Sequence, residues 1–238
     1  MSSKGEKKKL KSLNAPRAVH IKRKENKWTI RTSAGAYKKE DSVALGIVLR
    51  DFIGVAVNLR EAKEILKKGE IKVNGKIKTE HKFGVGLFDI ISIENQEKEY
   101  RVVYDKKRRV ILKELKNKSN EKISKIMFKR ITKKGIQITT NEGMVFIGAK
   151  GNVGDSLKIK VPEGKIEELI ELKEGALIYI TKGSHCSEKG RIKEIVKGTA
   201  KREKLVKIEQ EKREFETLER NVIVIGEKEE AIKDLKEI

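Results

Sequence analysis

Apolar residues along the chain change their spacing four times, and each change marks a new kind of element. Over residues 1–41 Leu10, Leu13, Val19, Ile21, Trp28 and Ile30 recur without a period, and Pro16 and the Ser33-Ala34-Gly35 stretch break any single helix. This reads as an extended arm. From Ser42 the density rises: Ser42 is in place to cap a helix, Val43 to Ile53 is rich in apolar residues, and Gly54 is a terminator. Asn58-Leu59-Arg60-Glu61 then has the form of a capping box. Leu59, Ala62, Ile65 and Leu66 fall on one helical face and Gly69 ends the helix. On another face Arg60, Lys63 and Lys67 follow one another at spacings of three and four.

After the helix the period shortens to two. Ile71-Lys72-Val73 and Lys76-Ile77-Lys78 flank Asn74-Gly75, a strong hairpin signal, and Phe88 to Ile93 forms a closing strand. A charged stretch runs from Asn95 to Asn120. Beyond it come short strand-like runs at Ile136–Ile138, Met144–Ile147, Leu157–Val161 and Leu177–Ile180, punctuated by glycines. The expected fold is α+β and mainly β. Its parts are a basic arm (1–41), a helix–hairpin module (42–110), a central small β domain (111–172), a further β unit (173–226) and a charged tail (227–238).

Composition adds the partner. With 37% apolar, 39% charged and 5% aromatic residues in 238, several small cores can form but not one large one. The formal net charge is +21, far above the roughly 2 to 8 units that solubility asks of a small domain. A polyanion such as nucleic acid fits, because neutralising phosphates releases condensed counterions. A Lys/Glu-rich surface set by growth temperature is the alternative, and both can hold, but such a surface raises the charge count without necessarily raising the net charge. The surplus is uneven: residues 1–40 hold 13 Lys or Arg against 3 acids, and residues 200–238 hold 10 against 11. An arm so basic suits a segment laid along phosphates, ordering on its partner with Trp28 and Tyr37 as base-stacking or packing anchors.

Catalytic chemistry finds little footing. There is neither a phosphate-binding Gly-x-x-x-x-Gly-Lys-Ser/Thr loop nor a Gly-x-Gly-x-x-Gly after a strand. Ile147-Gly148-Ala149-Lys150-Gly151 looks like the loop of KH domains, but Asp155 to Val161 reads as a strand where a helix is needed, so a turn is expected. His20, His81 and His185 lie far apart, and His185-Cys186 has no marked third partner. Asp105 and Asp155 read as turn formers. A single cysteine rules out an intramolecular disulfide. No catalytic residue, metal, cofactor or small-molecule substrate is expected. Without an apolar signal or spanning run, the expectation is a cytoplasmic protein with no membrane partner.

Two local patterns resemble known modules. "NLREAKEILKKGEIKVNGKIKTEHKFGVGLFDIISI" (58–93) resembles the RNA-binding module first named for bacterial small-subunit ribosomal protein four, through Arg60-Glu61-Ala62, Gly69, Val73-Asn74-Gly75 and Asp89-Ile90-Ile91. Phe88 stands where that family usually has Gly. The module also occurs in pseudouridine synthases, RNA methylases and one tRNA synthetase class. Residues 174–197 resemble the KOW motif, with Gly190 as its fixed glycine and Ser187-Glu188 where relatives tend to carry Gly-Arg. That motif implies an SH3-like barrel over 173–226.

Taken together, the arm ending in Ser12 to Arg17, "SAGAYKKEDSVALGIVLRD" (33–51), the module, the central β domain and "NVIVIG" (221–226) are similar, over about residues 10–226, to the e-type ribosomal protein four family of archaea and eukaryotes. The resemblance implies a structural constituent of the small ribosomal subunit, not an enzyme. Its partners would be ribosomal RNA and neighbouring ribosomal proteins. Contacts expected in the arm are Lys7, Lys8, Lys9, Lys11, Arg17, Lys22, Arg23 and Lys24; in the module they are Arg60, Lys63, Lys67, Lys72, Lys76 and Lys78. Two rivals stand beside this: a transient translation or transcription factor built on the KOW motif, and an RNA-modifying enzyme, which would need a catalytic domain in addition.

Overall fold

In a computed structural model that describes residues 9–133, 135–199, 202–210, 213–227, 229–232 and 234–235, the chain divides into two compact units. The first comprises residues up to Val103 with Arg109–Glu114, and the second Tyr104–Arg108 with the chain from Leu115 on.

The first unit begins where an extended arm is expected, and there the chain doubles back. Strands β1 (Leu10–Lys11) and β2 (Trp28–Thr29) pair antiparallel, Lys11 facing Trp28. The turn between them is held by Arg23, whose guanidinium donates to the carbonyls of Leu13 (3.2 Å), Ala15 (2.8 Å) and Pro16 (3.1 Å). Ala15, Ala18 and Val19 are buried, and the Ala18 carbonyl accepts from Val110 N at 2.9 Å, which ties the segment to the rest of the unit.

Ser42 does not cap a helix. It is extended (φ −136°, ψ 155°), its hydroxyl donates to the Lys38 carbonyl at 3.0 Å, and it leads into β3 (Val43–Ala44). Helix α1 (Leu45–Ile47) follows, continuing as a π-type stretch over Val48–Ile53. Every residue from Val43 to Leu49 is buried, which explains the apolar density. Helix α2 (Leu59–Lys67) starts as the capping box requires: the Asn58 carbonyl side chain accepts from the Glu61 amide at 2.9 Å. The Glu61 carboxylate reaches back one residue further than expected, accepting from Val57 N at 2.8 Å. Gly69, in the left-handed region at φ +79°, closes the helix.

Strands β4 (Ile71–Val73) and β5 (Lys76–Ile77) form the expected hairpin, with Asn74 and Gly75 both at positive φ (51° and 72°), as a type I′ turn needs. Strand β6 (Gly84–Val85) pairs with β3. Strands β7 (Ile90–Ile93), β8 (Lys98–Tyr104) and β9 (Val110–Leu115) complete a sheet of order β5-β4-β7-β8-β9.

The second unit holds two five-stranded antiparallel sheets. The first is ordered β12-β11-β10-β13-β14 and is made of β10 (Glu121–Thr132), β11 (Gly135–Thr140), β12 (Val145–Ile147), β13 (Ser156–Lys160) and β14 (Lys165–Ile170). Ile126, Ile138, Leu157 and Ile159 form its core, with Phe146 packed against them. Residues 148–151 are a turn between strands, with no flanking helix.

The second sheet, ordered β18-β17-β16-β15-β19, is made of β15 (Leu177–Ile180), β16 (Lys189–Val196), β17 (Leu205–Gln210), β18 (Arg213–Leu218) and β19 (Val222–Gly226). Its core includes Ile178, Ile180, Ile192, Val206, Ile208, Val222 and Val224. Gly190 sits where β16 meets β17 so closely that a Cβ would lie 2.4 Å from Ile208 Cγ2. A side chain at this position would have to displace Ile208.

Candidate nucleic-acid interface

Helix α2 presents its two faces as the spacing predicts. Ala62 and Leu66 are fully buried, while Arg60, Lys63 and Lys67 are exposed. Arg60 makes only a long contact with Glu64 (3.4 Å) and its side chain is 91% exposed, so this pair contributes little stability. His81 lies near this stripe: burial lowers its pKa first, the charges of Lys63 and Lys82 lower it further, and Glu80 opposes.

The hairpin adds Lys76, exposed on β5, and Lys78, whose ammonium sits 4.6 Å from the Phe83 ring centroid. Lys72 differs, being ion-paired with Glu94.

In the arm, Lys7 and Lys8 lie outside the described residues. Lys9 and Lys27 approach the Trp28 ring at 5.8 and 5.7 Å from its centroid, and the indole is 48% exposed. Lys11, Arg17 and Lys24 are exposed, and Lys22 pairs with Glu25 at 2.8 Å in open solvent. Arg23 stands apart: its guanidinium is committed to three main-chain carbonyls and shapes the segment. Beside Trp28 a cleft of about 470 Å³ is lined by Ser12, His20, Lys22, Asn26, Thr29 and Arg50 among others. Arg50 is held there by Asp51 through two hydrogen bonds of 2.7 and 2.8 Å.

Lys27 and Lys82 were not among the expected contacts. Lys27 was signalled by its adjacency to Trp28, whereas nothing periodic marks Lys82, which stands in the loop before β6.

In the second unit the turn between β15 and β16 accounts for its unusual residues. Ser187 is in the left-handed region (φ +72°), and Glu188 lies 3.1 Å from His185 Nδ1. The His185 ring stacks on Phe215 at 3.9 Å with planes 15° apart. The acidic residue thus has a partner inside its own turn. Cys186 is buried, donates to the Thr181 carbonyl, and has its pKa raised by that burial, which keeps it a thiol and unreactive. Among the described residues no group of three or more His, Cys, Asp or Glu is arranged to hold a metal ion, and no helix is long and apolar enough to cross a membrane.

Comparison with known proteins adds the ancestry. The family described as Ribosomal family S4e matches residues 96–166, and the RS4NT (NUC023) domain matches residues 4–40. The small ribosomal subunit protein eS4 of Methanosphaera stadtmanae is 41% identical over 230 residues, 95% of each chain. That of Archaeoglobus fulgidus is 38% identical over 222 residues, 92% of this chain and 93% of the other. The crystal structure of the 30S ribosomal protein S4e from Thermoplasma acidophilum superposes with a TM-score of 0.68 at 36% identity, covering 78% of this chain and 95% of that one. With such identity sustained over nearly its whole length, the chain belongs to the ribosomal S4e family, a family of structural ribosomal proteins and not of enzymes.

Proposed function

We propose that this protein is a structural constituent of the small ribosomal subunit that binds folded ribosomal RNA through Lys and Arg contacts to phosphates. The observation that carries the reading is the stripe Arg60–Lys63–Lys67. These three cations stand on a buried-face helix beside the type I′ hairpin and are exposed to solvent. Charges fixed on a packed scaffold recognise the shape of an RNA backbone, since the deep major groove of A-form RNA does not admit side chains. Lys9, Lys11, Arg17, Lys22 and Lys24 extend the contact set into the arm, with Lys7 and Lys8 ahead of it and Lys72, Lys76 and Lys78 on the hairpin. Arg23 serves by holding the arm's shape.

In this reading residues 1–41, 42–110, 111–172, 173–226 and 227–238 act as arm, RNA-binding module, central domain, KOW-bearing SH3-like barrel and tail. The close β16–β17 approach at Gly190 supports the KOW assignment. Neighbouring ribosomal proteins are the other partners, and the site of action is the ribosome in the cytoplasm.

The test is salt dependence. Changing Arg60, Lys63 and Lys67 together to Glu weakens binding to small-subunit ribosomal RNA. It also lowers the slope of log affinity against log salt by roughly one for each phosphate no longer neutralised. A slope unchanged from the parent removes the stripe from the interface.

A further inference from the structure

The outer face of β10, β11 and β12 carries large apolar side chains that no core covers. Cross-strand register sets Phe128 opposite Thr139, and Thr139 opposite Val145; the next same-face row is Arg130, Gln137 and Ile147. Phe128 is 67% exposed, Val145 50% and Ile147 56%. Toward the other face Ile138 is fully buried and Phe146 packs on the core, while Ile131, next to the β10–β11 turn, is 84% exposed. Over β11 and β12 the face is therefore a second side of the sheet, opposite the core.

An apolar sheet surface in water calls for a partner, and charge indicates which. Residues 127–151 contain five Lys or Arg and one acid, and that acid, Glu142, is buried and paired with Lys122 at 2.6 Å. Residues 152–171, which include β13 and β14, contain five acids against three lysines. Positive charge and exposed apolar area thus coincide on one half of the sheet. A purely apolar protein surface would leave the cations unpaired, and a protein that used both would have to set acids beside its own apolar patch. An RNA strand uses both: an aromatic ring stacks on a base, and a cation meets the phosphate beside it. Arg130, two residues along the same face, stands roughly 7 Å from Phe128 along the strand.

We propose that this face is a stacking platform for unpaired nucleotides of RNA, with Phe128 as the base-stacking residue and Arg130 as its phosphate partner. It rests on the RNA-binding reading above and adds a second surface, of a different recognition type, to the phosphate-binding stripe of α2.

The experiment uses the full chain and two probes, a short labelled oligoadenylate and blunt duplex RNA of the same length. Phe128→Leu keeps an apolar β-former but removes the ring; Phe128→Tyr keeps the ring. Because the side chain is exposed, all three proteins melt alike. The expected result is that Phe128→Leu loses roughly five- to hundredfold in affinity for oligoadenylate, Phe128→Tyr binds like the parent, and duplex binding is the same in all three. Equal oligoadenylate affinity in all three, or equal loss in both variants, overturns the platform. So does intact RNA affinity with loss of a neighbouring protein from assembled subunits, which would assign the face to a protein. The failure of the wider reading looks different: there the Arg60, Lys63 and Lys67 charge reversal leaves ribosomal RNA binding untouched, whatever Phe128 does.

Discussion

The Asn74 side-chain amide donates to Asp89 Oδ1 at 2.6 Å, tying the hairpin turn to the strand that closes the module. The reciprocal bond runs from Ile90 N to Asn74 Oδ1 at 3.0 Å. Asp89, 1% exposed, also accepts from the Tyr37 hydroxyl and from Gly86 N, each at 2.8 Å. Gly86 lies under the Tyr37 ring so closely that a Cβ would come within 2.5 Å of it. Asn74 and Asp89, 15 positions apart in the chain, are thus two halves of one network, and Tyr37 is its packing anchor.

Replacing Asp89 by Ala strands three donors at once, two of them in side chains held by packing. The expected cost is about 3 kcal/mol, read as a lowered denaturation midpoint. Asp89→Asn retains acceptor capacity on one oxygen and is milder. Equal stability of Asp89→Ala and the parent would contradict the network.

Phe88 sets two effects against each other. At φ +63° it occupies the left-handed region where the family resemblance has Gly, which costs a side-chain-bearing residue about 1–2 kcal/mol. Yet the ring is 1% exposed, and truncating a buried Phe costs about 3–5 kcal/mol. Burial wins, so Phe88→Gly destabilises by about 2 kcal/mol despite relieving the backbone. A stabilised Phe88→Gly protein would show that the ring packs poorly.

The Lys122–Glu142 pair is shut off from water, with side-chain exposures of 0% and 5%, and Glu142 also accepts from Ser124 at 2.6 Å. Removing one partner leaves a buried charge uncompensated, so Lys122→Met costs about 3–5 kcal/mol. Replacing both by Met recovers most of that loss. A double variant no better than the single one would mean that packing, and not charge, sets the cost.

Lys125 gives the folded state a pH signature. Its ammonium donates to the carbonyls of Glu219 (2.6 Å) and Val222 (2.7 Å), joining the two sheets of the second unit. Burial lowers its pKa to about 8, with Glu219 opposing. From about pH 8 up to 10.5 the unfolded chain keeps a proton that the folded chain has given up. Stability therefore rises with pH across that window, at up to about 1.4 kcal/mol per pH unit. The melting-temperature difference between parent and Lys125→Met should move in the parent's favour from pH 8 toward 10. A constant difference would contradict the assignment.

What could be read from the chain was what depends on near neighbours. The Asn58 cap, the Asn74-Gly75 turn and the three-and-four spacing of Arg60, Lys63 and Lys67 are local, and each formed as expected. Ser42 misled because a strand pairing of Val43–Ala44 with Gly84–Val85 overrides its capping preference, from a distant part of the chain. The folded arm was hidden for the same reason, since Arg23 finds its carbonyls only once the turn exists. Nothing local marks Lys122, Lys125 and Glu142 as buried, because their partners are far along the chain. Nothing in the local sequence places Phe128 on an outer face; the register of three strands does.

The most direct measurement of the central claim is the amount of this protein on small ribosomal subunits from a sucrose gradient after a high-salt wash, counted against other subunit proteins. One copy per subunit, surviving the wash, is the expected result. A level far below one copy, or release into the supernatant, would contradict it and favour a transient factor.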